Sequence, residues 1–196
     1  MRHTASKTLH AYWKHLRGTA LAPRREDLDP VAIGRHLTDV VLLECQPGES
    51  PTIRIAGSRL CDLFGRELRG ELFDTLFLPL ASDDLAEMVS IATNDALPVV
   101  AGISALMLGR LSLEAELLIL PLEHEGRTDR RILCVLSLTS HELRRTGSCN
   151  AFDIASFRVL SDETTRFLHV PGPDSAAVAS AAERRARLVV LPGGRA

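Results

Sequence analysis

Histidine and cysteine side chains are the usual carriers of metal and redox chemistry, and this chain has 7 His and 4 Cys among 196 residues. The cysteines form no Cys-x-x-Cys pair, so neither a zinc site nor a thioredoxin-like site is indicated. His10 and His15 are five residues apart and would lie on different faces of a helix. The remaining candidates lack a His or Cys neighbour at ligand spacing: Cys45, Cys61, Cys134, Cys149, His3, His36, His124 and His169. We predict buried thiols, surface histidines and no metal site.

Sequence motifs of enzymatic catalysis are missing. The chain has no Gly-x-Ser-x-Gly elbow, no Gly-x-Gly-x-x-Gly loop and no phosphate-binding P-loop. We therefore predict no catalytic residue and a protein that is not an enzyme.

One segment has the form of a reactive motif. Ser140-His141-Glu142-Leu143-Arg144-Arg145 resembles the phosphoacceptor box of histidine kinases. That box continues with Pro and a long helix, whereas Thr146-Gly147-Ser148 follow here, and the rest of the chain is too short for an ATP-binding domain. The prediction is a solvated turn after a strand. A phosphorelay role for His141 is a remote alternative.

Composition limits the class of protein. Apolar residues make up 45%, charged residues 24%, and the net charge is −2, which is typical of a soluble globular domain. The near-neutral charge and the aromatic content of 4% argue against nucleic-acid binding by global charge or by base stacking. The longest apolar stretch, 97–109, falls short of the roughly 20 residues of a membrane-spanning helix. With no export signal visible, a cytoplasmic protein without a membrane span is expected.

Periodicity predicts which elements position these residues. An amphipathic helix at 8–16 and a short helix at 30–36 are followed by strands at 40–45 and 52–56, helices at 58–64 and 82–92, and strands at 99–108, 111–122 and 131–140. Short gaps between neighbouring strands favour antiparallel pairing. We predict an α+β fold with one five-stranded antiparallel sheet and helices on one side. The expected units are an N-terminal helical flank at 1–36, a core at 37–145 and a loose tail at 146–196.

The N-terminal helix has the features of a docking element. It carries the only Trp and the only Tyr of the chain, and its apolar stripe is Leu9, Tyr12, Trp13 and Leu16. We predict that this stripe contacts either the chain's own core or a second copy in a homodimer. Residues 1–36 also hold seven Lys or Arg against three Asp or Glu, a basic surface that suits an acidic partner or a phosphorylated ligand. A solvated helix face is the alternative.

Beyond residue 160 the composition loosens. An Ala-rich helix is predicted at 175–187, ending in Arg184-Arg185-Ala186-Arg187, and Leu188-Val189-Val190-Leu191 follows it. This segment is predicted to be a mobile tail or a docking arm.

A family resemblance agrees with this element order. Residues 63–73, with Phe64-Gly65, Glu67-Leu68 and Gly70, look like the helix-turn signature of PAS domains. Over roughly 9–140, the chain resembles more closely a bacterial family of small PAS-like proteins that have no attached output domain. The residues that carry this resemblance are Tyr12-Trp13, Leu16-Arg17-Gly18, Pro23, Arg25, Asp27-Leu28-Asp29-Pro30 and Ile55-Ala56-Gly57-Ser58-Arg59-Leu60-Cys61. The resemblance implies a sensory or protein-interaction module, in some members with a small ligand between sheet and helices.

Residues on the inner strand and helix faces are the candidates to line such a ligand pocket. They are Ile53, Ile55, Phe64, Met88, Ile103, Leu117, Ile119 and Cys134. A core filled by these same side chains is the alternative. No cofactor is predicted: residues 81–97 lack the axial His that a haem-binding PAS domain requires, and Cys61 lacks the Asn-Cys-Arg setting of flavin photoreceptors.

These observations predict a non-catalytic sensory or adaptor module that regulates signalling through protein contact. A small apolar or phosphorylated ligand is the candidate that would gate it. A self-association module without a ligand is the alternative function.

Overall fold

The structure is a computed structural model that describes residues 1–107, 110–123, 130–138, 149–160 and 166–168. Both His141 and the predicted tail helix at 175–187 lie outside the described residues.

The chain begins with two helices that the sequence predicts. Helix α1 spans Thr4–Arg17 and ends at Gly18, whose φ of 55° suits glycine. Helix α2 spans Pro30–Ile33, and the Asp29 carboxylate caps it by accepting a hydrogen bond from the backbone N–H of Val31 at 2.8 Å. A 3₁₀ helix then leads into the first strand.

Within the described ranges, seven antiparallel strands form a single sheet in the order β2-β1-β5-β4-β3-β6-β7. Their bounds are β1 Val40–Cys45, β2 Thr52–Ala56, β3 Val99–Met107, β4 Arg110–Leu122, β5 Arg130–Leu138, β6 Cys149–Val159 and β7 Arg166–Leu168. The predicted α+β class and antiparallel pairing are confirmed.

The predicted strand count of five is too low, because β6 and β7 also belong to the sheet. Strand β6 pairs along the whole of β3, so the sheet extends beyond the predicted core limit at residue 145. The register between β3 and β6 shifts at Gly102/Ile103. That shift places Phe152, Ile154 and Phe157 in the core at spacings of two and then three residues, and this breaks the alternation by which a strand is recognised.

Two central helices cover one face of the sheet, here called the inner face. Helix α3 spans Ser58–Phe64 and stops at Gly65 with φ 66°, and helix α4 spans Ser82–Asn94. Their buried side chains, among them Leu60, Phe64 and Met88, pack against inward residues of the strands. This is the main hydrophobic core.

Helix α1 packs on the opposite, outer face. Its Leu9 and Trp13 form a second core with residues of β1, β3, β4 and β5, which are Val40, Leu42, Val100, Leu118, Leu120, Leu122, Leu133 and Val135. Strand β4 is therefore buried on both faces over its second half, with Leu117 and Ile119 inward and Leu118 and Leu120 outward. Within the described part of the chain, no helix has the length and apolar character needed to cross a membrane.

Candidate functional site

The structure brings seven of the eight predicted pocket residues together in the main core. They are Ile53, Phe64, Met88, Ile103, Leu117, Ile119 and Cys134. Ile55 is the exception, because its side chain is 50% exposed. The register of β1 with β2 slips between Leu42 and Leu43, so that Ile53 pairs with Leu43 and Ile55 pairs with Leu42. An extra residue, Arg54, thus separates two isoleucines that face opposite sides of the sheet.

The interior at these residues is filled with protein atoms. Ile53, Met88, Ile119 and Cys134 are 0% exposed, and Leu117 is 1% exposed. A cavity large enough for water would leave part of the lining side chains accessible to it. In the structure these side chains are buried together in the main core.

Aromatic rings close the same core around β6. The ring of Phe152 lies edge-on to that of Phe64 with centroids 5.3 Å apart, and its centroid is 5.7 Å from that of Phe77. The backbone N–H of Leu78 donates to the Phe152 carbonyl oxygen at 2.8 Å. Strand β6 is thereby joined to the segment before α4.

The three buried thiols, those of Cys45, Cys134 and Cys149, are poor candidates for redox or nucleophilic chemistry. Burial raises the pKa of Cys45 to about 12 and that of Cys149 to about 11, and it raises the pKa of Cys134 well above its usual value. A reactive cysteine needs a lowered pKa and access to solvent. Among the residues that the structure describes, no three His, Cys, Asp or Glu side chains come together as a metal site would require.

A groove of about 400 Å³ lies on the outer face, beside the N-terminus of α1. Its floor is strand β3 with β4 and β6 on either side, and residues 2–3 form part of its wall. Gly102 lies at the centre of this floor, paired with Glu116 on β4 and with Ser156 on β6. A glycine inside a strand leaves space for another group to approach the backbone closely.

Glu116 fixes the N-terminal segment at this groove. Its carboxylate, only 7% exposed as a residue, accepts hydrogen bonds from the backbone N–H of Arg2 at 2.7 Å and of His3 at 3.4 Å. The amino group of Met1 lies 3.9 Å from the same carboxylate. Burial alone would raise the pKa of Glu116, but these contacts and a hydrogen bond from Ser6 outweigh burial and hold the pKa below its usual value.

Charge is distributed unevenly along the groove. Arg158 pairs with Val100 at one end. At the other end Ser104 pairs with Glu114 on β4 and with Asp153 on β6, so two carboxylates flank one serine. Sequence reasoning missed this groove, although a glycine in a strand and the polar side of β4 were visible signals.

The apolar stripe of α1, which the sequence predicts as an interface, packs against the sheet of the same chain. Leu9 and Trp13 are each 1% exposed, whereas Tyr12 and Leu16 are half-buried. The hydroxyl of Tyr12 accepts a hydrogen bond from the backbone N–H of Asp29 at 2.8 Å. Of the two predicted docking partners, the structure thus places the chain's own sheet against α1.

The basic residues of the N-terminal segment lie on different parts of the surface. Arg2 lines the groove, while Lys7 and Lys14 are exposed on α1. The guanidinium of Arg17 lies 5.2 Å from the centre of the Trp13 ring, where it makes a cation–π contact. Exposed positive charge therefore lies on the solvent side of α1, at Lys7 and Lys14, and also beyond α1, at Arg24, Arg25 and Arg35.

Comparison with known proteins extends these observations. A family model described as a PAS domain matches residues 1–137. The match runs from α1 to the end of β5, so β6 and β7 lie beyond it. No curated protein matches the chain.

Proposed function

Because the chain belongs to the PAS domain family, whose members are sensory and signalling modules, we propose that it is a non-catalytic module that acts by contacting another protein. The proposed contact surface is the solvent side of α1 together with the groove. The observation that carries this proposal is the contrast between a filled interior and an open groove on the outer face.

The filled interior supports a role in contact rather than in sensing a ligand within the core. An apolar ligand between sheet and helices would have to displace side chains such as Met88 and Ile119, which are fully buried. Displacing well-packed core groups costs several kcal/mol per large side chain, on the order of the total stability of a domain. We therefore leave an internal ligand out of the proposal.

The chemistry of the surface favours an acidic partner. Lys7 and Lys14 are exposed on α1, two helical turns apart. The first turn of α1 contains no Asp or Glu. An acidic segment that pairs with these lysines would extend toward Arg2 at the groove. Self-association through Leu9 and Trp13 would first require α1 to leave the sheet, so we consider it the weaker alternative.

Site-specific photo-crosslinking in the organism that makes the protein tests this proposal. A photoreactive amino acid at Ala11, exposed on α1 between Lys7 and Lys14, should trap a second protein of defined mass, and the same group at Glu49, in the exposed turn between β1 and β2, should not. Replacing Lys7 and Lys14 by Glu should abolish the trapped product. Equal products from both positions, or none from Ala11, would contradict the proposal.

Native mass spectrometry separates the ligand hypothesis from the contact hypothesis. A purified chain whose mass equals that of the 196 residues supports contact alone. A retained small molecule would instead favour ligand gating and would overturn the conclusion drawn from the filled core.

A further inference from the structure

Helix α1 leaves part of the outer face uncovered. Gly102, Glu114 and Ala155 are exposed, and Ser104 is half-buried, although all four line the groove on β3, β4 and β6. A sheet face with such small side chains at its centre offers a shallow channel into which a further segment of chain fits.

Strand β7 brings the described chain to within one strand of this channel, because it pairs with β6. In the pairing of β6 with β7, Val159 lies opposite Arg166 and Phe157 lies opposite Leu168. The chain therefore leaves β7 running alongside β6 toward Ser156 and Asp153. From β7 across β6 to β3 is about 10 Å, two strand spacings, whereas residues 169–174 span up to about 20 Å when extended. Residues from 175 onward can thus reach the groove.

The composition of that segment complements the groove. Residues 176–182 are mostly Ala, and Arg184, Arg185 and Arg187 follow. Small side chains allow close approach to a floor of Gly and Ser, and three cations match the two carboxylates of Glu114 and Asp153. We propose that residues 175–191 of the same chain bind along the groove, with their arginines at its acidic end.

Bound in this way, the segment covers the surface to which we assign partner contact. Its role as a competitor of the partner rests on the proposed function, whereas the binding itself rests only on the geometry of the sheet and on the sequence. A failure of the binding experiment below would leave the proposed partner contact intact, because the two are measured separately.

Paramagnetic relaxation in the full chain tests the binding. A nitroxide is attached to Ala186→Cys in a Cys61→Ser background, in which the remaining cysteines Cys45, Cys134 and Cys149 are buried. We expect loss of amide signal at Gly102 and Ser104, and unchanged signal at Ile55 in β2, four strands away from β3 at the other end of the sheet. Uniform loss, or no loss at the groove, would overturn the proposal.

Charge variants make the test specific. Glu114→Arg with Asp153→Arg should abolish the signal loss, and Arg184, Arg185 and Arg187 changed to Glu in that background should restore it. Glu114→Gln with Asp153→Asn is the milder version should the reversal disturb folding, and Glu49→Arg is the control that should change nothing. A mixed sample contains copies that carry the nitroxide and copies whose amide signals are observed. Signal loss that appears only in such a mixture would show that the segment of one copy binds the groove of another, and it would overturn binding within one chain.

Discussion

The indole Nε1 of Trp13 donates a hydrogen bond of 2.7 Å to the carbonyl oxygen of Pro121. Trp13 belongs to α1 and Pro121 to β4, 108 residues further along the chain. Because Trp13 is only 1% exposed, the bond forms in a setting shielded from water. One buried ring thus supplies both apolar contact and a polar partner that fixes the position of α1 on the outer face.

Trp13→Ala is expected to destabilise the fold by about 3–5 kcal/mol, the usual cost of deleting a buried large aromatic side chain. Trp13→Phe keeps most of the apolar contact but leaves the Pro121 carbonyl without its donor, and it should cost about 1–3 kcal/mol. Urea unfolding followed by circular dichroism measures both changes. Equal midpoints for the two variants and the wild type would show that α1 is not docked as described.

The hold of Glu116 on the N-terminal segment should depend on pH. Its folded-state pKa lies below the usual 4.5, so the folded chain binds this proton less readily than the unfolded chain does. The stabilisation is fully present above pH 4.5 and is lost as the pH falls through the folded-state pKa. Glu116→Gln should therefore lower stability by about 1–3 kcal/mol at neutral pH, with the difference from wild type shrinking in acid.

Thermal unfolding of both chains across this pH range measures the effect. Glu114→Gln is the matched control, since Glu114 is exposed two residues away on the same side of β4, and it should stay within about 0.5 kcal/mol of wild type. A stability difference between Glu116→Gln and wild type that grows in acid would contradict a lowered pKa of Glu116 in the folded chain.

The two isoleucines of β2 should respond very differently to truncation. Ile53→Ala removes a side chain that is 0% exposed in the main core, and it should cost about 2–5 kcal/mol. Ile55→Ala changes a side chain that is 50% exposed and should stay within about 0.5 kcal/mol. Denaturant midpoints of the two variants test the register shift, and similar losses for both would place Ile55 in the core after all.

Most elements follow from local sequence signals. The stop of α3 at Gly65 and the cap of α2 at Asp29 are set within one turn of chain, so the pattern of residues predicts them. The inward positions of β4, such as Leu117 and Ile119, follow from strict alternation.

Two predictions, the inward position of Ile55 and the number of strands, are wrong because the backbone departs from that alternation. An extra residue at Arg54 turns Ile55 outward, and the shift opposite Gly102 disguises β6. The glycine in β3 and the polar side of β4 were local signals of the groove, but its shape depends on where α1 begins on the sheet and on the contact of Glu116 with residues 2–3. Such long-range placement has no counterpart in the local pattern.

Gly57 occupies a place where no side chain fits. A Cβ atom there would lie 2.3 Å from the carbonyl oxygen of Thr38 and 2.5 Å from its carbonyl carbon. Both are backbone atoms, which cannot rotate away as a side chain can. The backbone N–H of Gly57 also donates to the Val40 carbonyl oxygen at 2.8 Å, so the two segments are tied together at the point of closest approach.

Gly57→Ala should therefore force the start of α3 away from the segment before β1, at a cost of about 1–3 kcal/mol or more. Gly102→Ala is the matched control, because its Cβ would meet only the Ser156 hydroxyl oxygen at 3.7 Å, an ordinary contact. That variant should match or slightly exceed wild-type stability, since alanine in a strand loses less conformational entropy on folding than glycine. Chemical denaturation of the pair decides the matter: equal stabilities would mean that Gly57 and Thr38 do not approach as closely as the structure shows.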